Sequence, residues 1–429
     1  MLVGRGYTDR RLSTEEIQAI LSQGVDQANL RGRRVLLILP DGTRSGPIAL
    51  CFRTLADLLM VTAAQMDVLI ALGTHAPMEA PRLYRHLGIT AEERVTRYEG
   101  IRIYNHDYLS GLARLGILSA DEIAEISGGR LREELCVEIN ALVQNYDHIL
   151  ICGPVFPHEI MGFSGGHKYL FPGISGPDVI DLSHWLGALL TNLWTIGRQD
   201  TPVRALIDRA AALLPCEVSC FSMVVAEHDA LAGLFHGPPI LSQGTAAELS
   251  ERVNIRWVQR PYHTVISVMP ALYDDLWTAA KGMYKVEPAV ADGGRVIIHA
   301  PHIDEISYTH GAILDQIGYH VRDYYLAHSE RFSHVPRAVM AHAMLVKGAG
   351  TYAGGLEKPR VDVILATRIP PERCERVNLG YLDPNALSLS EWSDREDEGI
   401  LLVPRAGEVL YRVAGEHSSR SIDQEEVNG

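Results

Sequence analysis

Short apolar runs rich in β-branched residues alternate with longer amphipathic stretches along almost the whole chain, and that alternation leaves few folds open. The runs span residues 35–39, 68–72, 149–152, 220–226, 264–269, 295–299, 361–366 and 400–403. Each has the length of a strand. Helices are predicted between them over 14–21, 48–66, 119–126, 133–144, 184–197, 202–213, 246–253 and 273–279. The first opens on Ser13, with Glu15 and Glu16 in its first turn, as a capped helix start should. Strand–helix alternation of this kind predicts α/β architecture with mainly parallel sheets. Sites on such sheets form in loops at the carboxyl ends of strands.

A length of 429 residues suits two such domains. The expected arrangement is two α/β domains with the active site in the cleft between them. Residues 1–258 form an N-terminal cofactor-binding domain, joined by the C-terminal segment 405–429, and residues 259–404 form a C-terminal domain closing over the substrate. The stretch 254–262 reads as a hinge, because a new strand–helix series starts at His263. The polar tail 418–429 reads as frayed.

Composition removes several function classes. Hydrophobic residues make up 47%, too many for a disordered chain. Lys and Arg number 39 against 53 Asp and Glu, a net charge of −14, which argues against a nucleic-acid backbone as partner. No apolar run approaches the roughly 18 residues of a membrane span, and the N-terminus lacks an apolar signal-peptide core. A cytoplasmic protein is expected. Six scattered cysteines include no CxxC pair, so they read as reduced thiols. The 18 histidines are the unusual feature, and many lie beside Gly, Pro or acidic residues.

Three clusters hold chemistry. The first, LPDGTRSGP, follows the strand at 35–39 and puts Asp41, Thr43 and Arg44 at its carboxyl end. Arg offers a planar fork for a carboxylate, and Asp41 could orient Arg44 or an imidazole; a plain Asp-Gly turn is the bland reading. The second, ALGTHAPM, sets His75 in a loop between Gly73 and Pro77, where an imidazole can move protons near neutral pH. The third runs from Ile151 to Trp185 and contains His158, the run GFSGGHK and His184. Its glycines allow positive φ and close approach of a ligand, such as a phosphate, to the backbone. It is neither a Walker A loop nor GxGxxG. Lys168, at its end, could pair with phosphate or act as a nucleophilic amine.

Together these motifs resemble the nickel-dependent lactate racemase family. The resemblance is carried by D-x-T-R at Asp41–Arg44, G-T-H at Gly73–His75 and H-x3-G-F-S-G-G-x-K at His158–Lys168. A His follows 16 residues later, and L-[YW]-x-A-x-K-G stands at Leu276–Gly282. The resemblance implies a nickel-pincer nucleotide, the nickel complex of pyridinium-3,5-bisthiocarboxylic acid mononucleotide, linked covalently to Lys168. His184 would ligate the nickel. Thr43, Ser164, Gly165 and Gly166 would lie at the cofactor. His75 and His158 would transfer protons, Arg44 would bind the substrate carboxylate with support from Asp41, and Lys281 would close over the substrate. The implied reaction is inversion at C2 of a 2-hydroxy acid by hydride transfer through a 2-oxo acid, with cofactor-biosynthesis proteins as partners.

One departure bears on the substrate. Thr278 stands where lactate-active members carry Gln, and the segment HAPHIDEISYTHG, with His302, is rich in hydrogen-bonding groups. Both point to an acid larger and more polar than lactate, of the aldonate type, with a short-chain, lactate-like acid as the alternative. The segment GYHVRDYYLAH reads as a solvated helix and loop. A hydrolase or lyase with His75, His158 and His184 as direct metal ligands is the reading from another class. The sequence lacks the HExxH-type spacings of such sites.

Overall fold

Residues 1–415 are described by the structure, a computed structural model. The expectation for the tail at 418–429 lies outside them. The chain divides into two units, and it passes between them repeatedly. Met1–Phe156, Phe163–Ile180 and Pro202–Asn254 form the first; Pro157–Gly162, Asp181–Thr201 and the chain from Ile255 onward form the second.

The first unit is built on a seven-stranded sheet. Five strands are parallel, in the order Glu217–Glu227, His148–Pro154, Arg34–Pro40, Gln65–Ala71 and Ile103–Asn105. Ala230–Gly237 and Val3–Gly6 extend the sheet antiparallel. Its central strands are buried at nearly every position, which is why they read as unbroken apolar runs. Helix Thr14–Ala28 is closed by the capping box between Ser13 and Glu16. Helix Ile48–Thr62 packs Phe52, Leu55 and Leu59 into the core.

The second unit carries a five-stranded, fully parallel sheet in the order Gly380–Tyr381, Asp362–Thr367, Val290–Ala300, Tyr262–Val268 and Ile400–Val403. A separate parallel pair joins Ile255–Val258 to Leu410–Val413.

Three readings of the sequence need correction. Residues 133–144 hold no α-helix. Leu135–Asn140 is a strand with Leu135, Val137 and Ile139 buried and the residues between them half-exposed, followed by a 3-10 turn. The period was two, and the Glu133-Glu134 prefix masked it. The segment from residue 405 pairs Leu410–Val413 with Ile255–Val258, the last residues assigned from sequence to the N-terminal domain, and both strands group with the second unit. Helix Pro177–Leu190 begins before residue 184, so His184 stands inside it. Finally, the segment at 318–328 is only partly solvated, with Leu326 and Ala327 exposed. Tyr319 and Tyr325 are buried, and His320 stacks on Tyr324 at 3.8 Å. No helix of the described residues is long and apolar enough to cross a membrane.

Candidate functional site

In the first sheet the chain runs outward from Arg34–Pro40 through Gln65–Ala71 to Ile103–Asn105, then returns to lay His148–Pro154 on the opposite flank of Arg34–Pro40. The strand order reverses between those two neighbours, and ligands of α/β sheets bind beyond the carboxyl ends at such a point. The loops that leave there are the ones singled out by sequence.

Asp41 is buried just past Pro40. One carboxylate oxygen lies 2.5 Å from His75 Nδ1. The other accepts the Thr43 hydroxyl at 2.7 Å and the Thr43 N–H at 3.1 Å. Burial alone would raise the Asp41 carboxyl. The charge and hydrogen bond of His75, the Thr43 hydroxyl and the charge of Arg44 outweigh it and hold the group well below the ordinary range. The half-buried Arg44 side chain donates to the Thr43 carbonyl at 3.0 Å.

The glycine-rich turn lies beside this group, because the Gly73 N–H donates to the Gly173 carbonyl at 2.9 Å. Gly165 has φ +84°, and a Cβ there would lie 2.4 Å from Val155. At Gly166, with φ +58°, a Cβ would meet Gln243 at 3.0 Å. Only glycine fits this turn, which delivers the half-buried Lys168. Ser164 is committed internally: its hydroxyl accepts the Phe156 N–H at 2.9 Å and donates to the Pro154 carbonyl at 3.1 Å. Tyr169 covers Gly153 and donates to the same carbonyl.

Two supports of this turn went unnoticed in the sequence. Arg204 is buried with its guanidinium on the Phe163 and Gly165 carbonyls, and burial lowers it to about 10. Gln243 donates to the Ser164 carbonyl at 3.3 Å. An Arg and a Gln within ordinary helical stretches give no local signal of such a role.

His158 and His184 fall in the second unit. His158 is buried at the end of the short strand Pro157–His158, and its Nδ1 accepts the Ile160 N–H at 3.2 Å. The Glu159 carboxylate is 3.5 Å from the same nitrogen. Ile160 packs onto Gly187, where a Cβ would come within 2.8 Å of it, one turn past His184 on helix Pro177–Leu190. Lys285, buried and also missed by sequence, anchors this strand by donating to the Pro157 carbonyl.

Lys281 is buried, with its ammonium 4.7 Å from the centre of the Tyr273 ring. Asp275 caps the helix that holds Thr278: its carboxylate accepts the Thr278 N–H and the Thr278 hydroxyl, each at 2.9 Å. His302 Nε2 is held on the Tyr273 carbonyl at 2.9 Å. Both candidate substrate residues therefore spend polar atoms inside the unit. Among the described residues neither unit holds a group of three or more His, Cys, Asp or Glu side chains fit to bind a metal ion. The hydrolase reading is left without a ligand set of its own.

Residues 5–193 match the family described as lactate racemase N-terminal domain. The chain is 24% identical over 278 residues to a lactate racemase from Thermoanaerobacterium thermosaccharolyticum, covering 63% of the chain. The alignment spans 61% of that relative's length. A crystal structure of a Thermotoga maritima protein from a structural-genomics programme is 31% identical, with a TM-score of 0.85, over 94% of this chain and 99% of that one. The lactate racemase apoprotein from Thermoanaerobacterium thermosaccharolyticum gives a TM-score of 0.68 at 18% identity, over 96% and 100% of the two chains, a likeness of fold.

Proposed function

We propose, because residues 5–193 match the lactate racemase N-terminal domain and the chain is similar to a lactate racemase, that it is an isomerase inverting C2 of a 2-hydroxy acid. The acid in this reading carries further oxygen substituents, as an aldonate does. The observation that carries the reaction class is the opposite resting state of two histidines. His75 gives its Nδ1–H to Asp41, so its Nε2 is a base. His158 accepts at Nδ1 and, when neutral, bears its proton on Nε2 as a donor. Inversion through a planar 2-oxo acid needs a group to take the hydroxyl proton and a group to return it. Arg44 would hold the carboxylate and fix the reacting carbon. The buried Asp41 would stabilise the imidazolium that His75 becomes.

The residues fit a nickel-pincer nucleotide. The turn at Gly165 and Gly166 is packed closely on Val155 and Gln243 and presents Lys168, the residue that would carry the thioamide link. Thr43 and the turn fixed by Ser164 would flank its phosphate. The half-buried imidazole of His184 is a suitable donor for nickel. When bound, the group supplies a carbon that accepts and returns hydride, and the proton chemistry remains with the histidines. Lys281 would stand at the substrate from the second unit.

A lactate-like substrate is the second reading, favoured by the internal bonding of Thr278 and His302. A panel of enantiopure, C2-deuterated 2-hydroxy acids, given to enzyme from a cofactor-competent host and followed by chiral chromatography and mass spectrometry, decides between them. The expected result is inversion with deuterium retained, and a preference for aldonates over lactate of at least about tenfold in kcat/KM. Lactate as the best substrate removes the polar reading. Washout of deuterium into water removes hydride transfer.

A further inference from the structure

His342 is a buried imidazole that none of these roles uses. It sits on helix Arg337–Lys347 and is 7% exposed. Its ring stacks on Trp277 at 3.9 Å and 21°. Its Nδ1 lies 3.0 Å from the Tyr284 hydroxyl. That hydroxyl has no other partner among the described residues, and burial keeps the phenol protonated far above its usual range. Tyr284 therefore donates to Nδ1, and the neutral ring carries its proton on Nε2. The Nε2 atom is buried and has no hydrogen-bond partner among the described residues.

The place of this ring follows from helix geometry. Residues 277, 281 and 284 are spaced i, i+4, i+7 along Leu276–Ala279 and Lys281–Tyr284, so they share one face. His342 touches the first and the last, which sets it across from Lys281 between them. From the other side, Asp181 accepts the N–H groups of Arg337 and Ala338 at 3.2 and 3.1 Å. That fastens the start of the His342 helix one turn before His184. After burial, the charges acting on His342 are those of His310, His184 and Lys281, and together they keep it neutral. An N–H donor set across from a buried lysine suits an oxygen acceptor on a bound acid.

We infer that His342 is a specificity residue whose Nε2–H donates to a hydroxyl of the 2-hydroxy acid beyond C2. The inference rests on the C2-inverting activity proposed above and names the residue that reads the rest of the substrate. A site built to hydrogen-bond a substrate hydroxyl rejects the analogue that lacks it, because the buried donor then goes unpaired. An apolar ring in the same place would carry no such bias. This moves the polar reading from Thr278 and His302 to His342.

The test is the double variant Y284F/H342F in the holoenzyme, which removes both polar partners and leaves two rings in place. The melting temperature is expected to equal or exceed that of the wild type, since an unpaired buried donor is lost. The ratio of kcat/KM for gluconate to that for lactate is expected to fall at least about tenfold. In the wild type, the His342 Nε2–H resonance is expected to move on addition of gluconate more than on addition of lactate. An unchanged ratio with a lowered melting temperature makes His342 a packing residue and overturns the inference, while C2 inversion stands. A wild type that prefers lactate overturns it too. A wild type that inverts C2 of no acid ends both readings.

Discussion

The Asp41 carboxylate bridges two neighbours, with one oxygen 2.5 Å from His75 Nδ1 and the other on the Thr43 hydroxyl. The bridge fixes both the orientation and the tautomer of the imidazole. Asp41→Asn keeps the shape but can give His75 the wrong tautomer, and kcat is expected to fall by roughly two orders of magnitude or more. Circular dichroism should be unchanged.

The same pair has a pH signature. Because the folded Asp41 is held below its unfolded value of about 3.9, its stabilisation is fully present above that pH and is lost as pH falls below it. The difference in melting temperature between wild type and Asp41→Asn should therefore shrink in acid. A difference that grows below pH 4 would contradict the lowered Asp41 carboxyl.

Ser164→Ala leaves the buried Phe156 N–H without its acceptor. A loss of about 1–3 kcal/mol is expected in urea unfolding. Gly165→Ala should do at least as much damage, since φ +84° and Val155 both oppose a side chain.

Lys168→Ala should abolish any covalent adduct, read by intact mass, with the fold retained. His184→Ala should lose nickel, read by metal analysis of protein from a cofactor-competent host. An unmodified wild-type mass would refute the covalent link, and stoichiometric nickel in the His184 variant would refute that ligand.

Lys285→Met should lower kcat by about tenfold or more without touching the His75–Asp41 pair, because the Pro157 carbonyl loses the ammonium that holds the His158 strand. Normal kcat would show that His158 needs no such anchor.

All eight runs read as strands from the sequence fall on strands of the structure, because a strand buried on both faces declares itself as a continuous apolar run; residues 35–39 and 68–72 are plain cases. Leu135–Asn140 was not, since its period of two is brief and follows two helix-forming glutamates. Asp41, His75 and Lys168 stand out in the sequence because they lie in loops and a tight turn, where packing does not ask for such side chains. Arg204 and His342 lie within helices and Lys285 just past the end of one, and they acquire their meaning from partners 39, 58 and 128 residues away in sequence. No local pattern records such distances, which is also why the reading of the substrate rested on Thr278.

The exchange of segments between the two units also constrains how the protein can be made. Residues 181–201 leave the ribosome before residue 255 exists, yet their carbonyls at Leu193 and Ile196 wait for the guanidinium of Arg412. Until then Leu186, Leu190 and Trp194, all buried in the finished molecule, have no complete surface to cover them. A chain that stalls near residue 254 would thus carry an apolar strip in search of a partner, the kind of nascent species that chaperones hold. For the same reason no cut between two residues yields two whole halves.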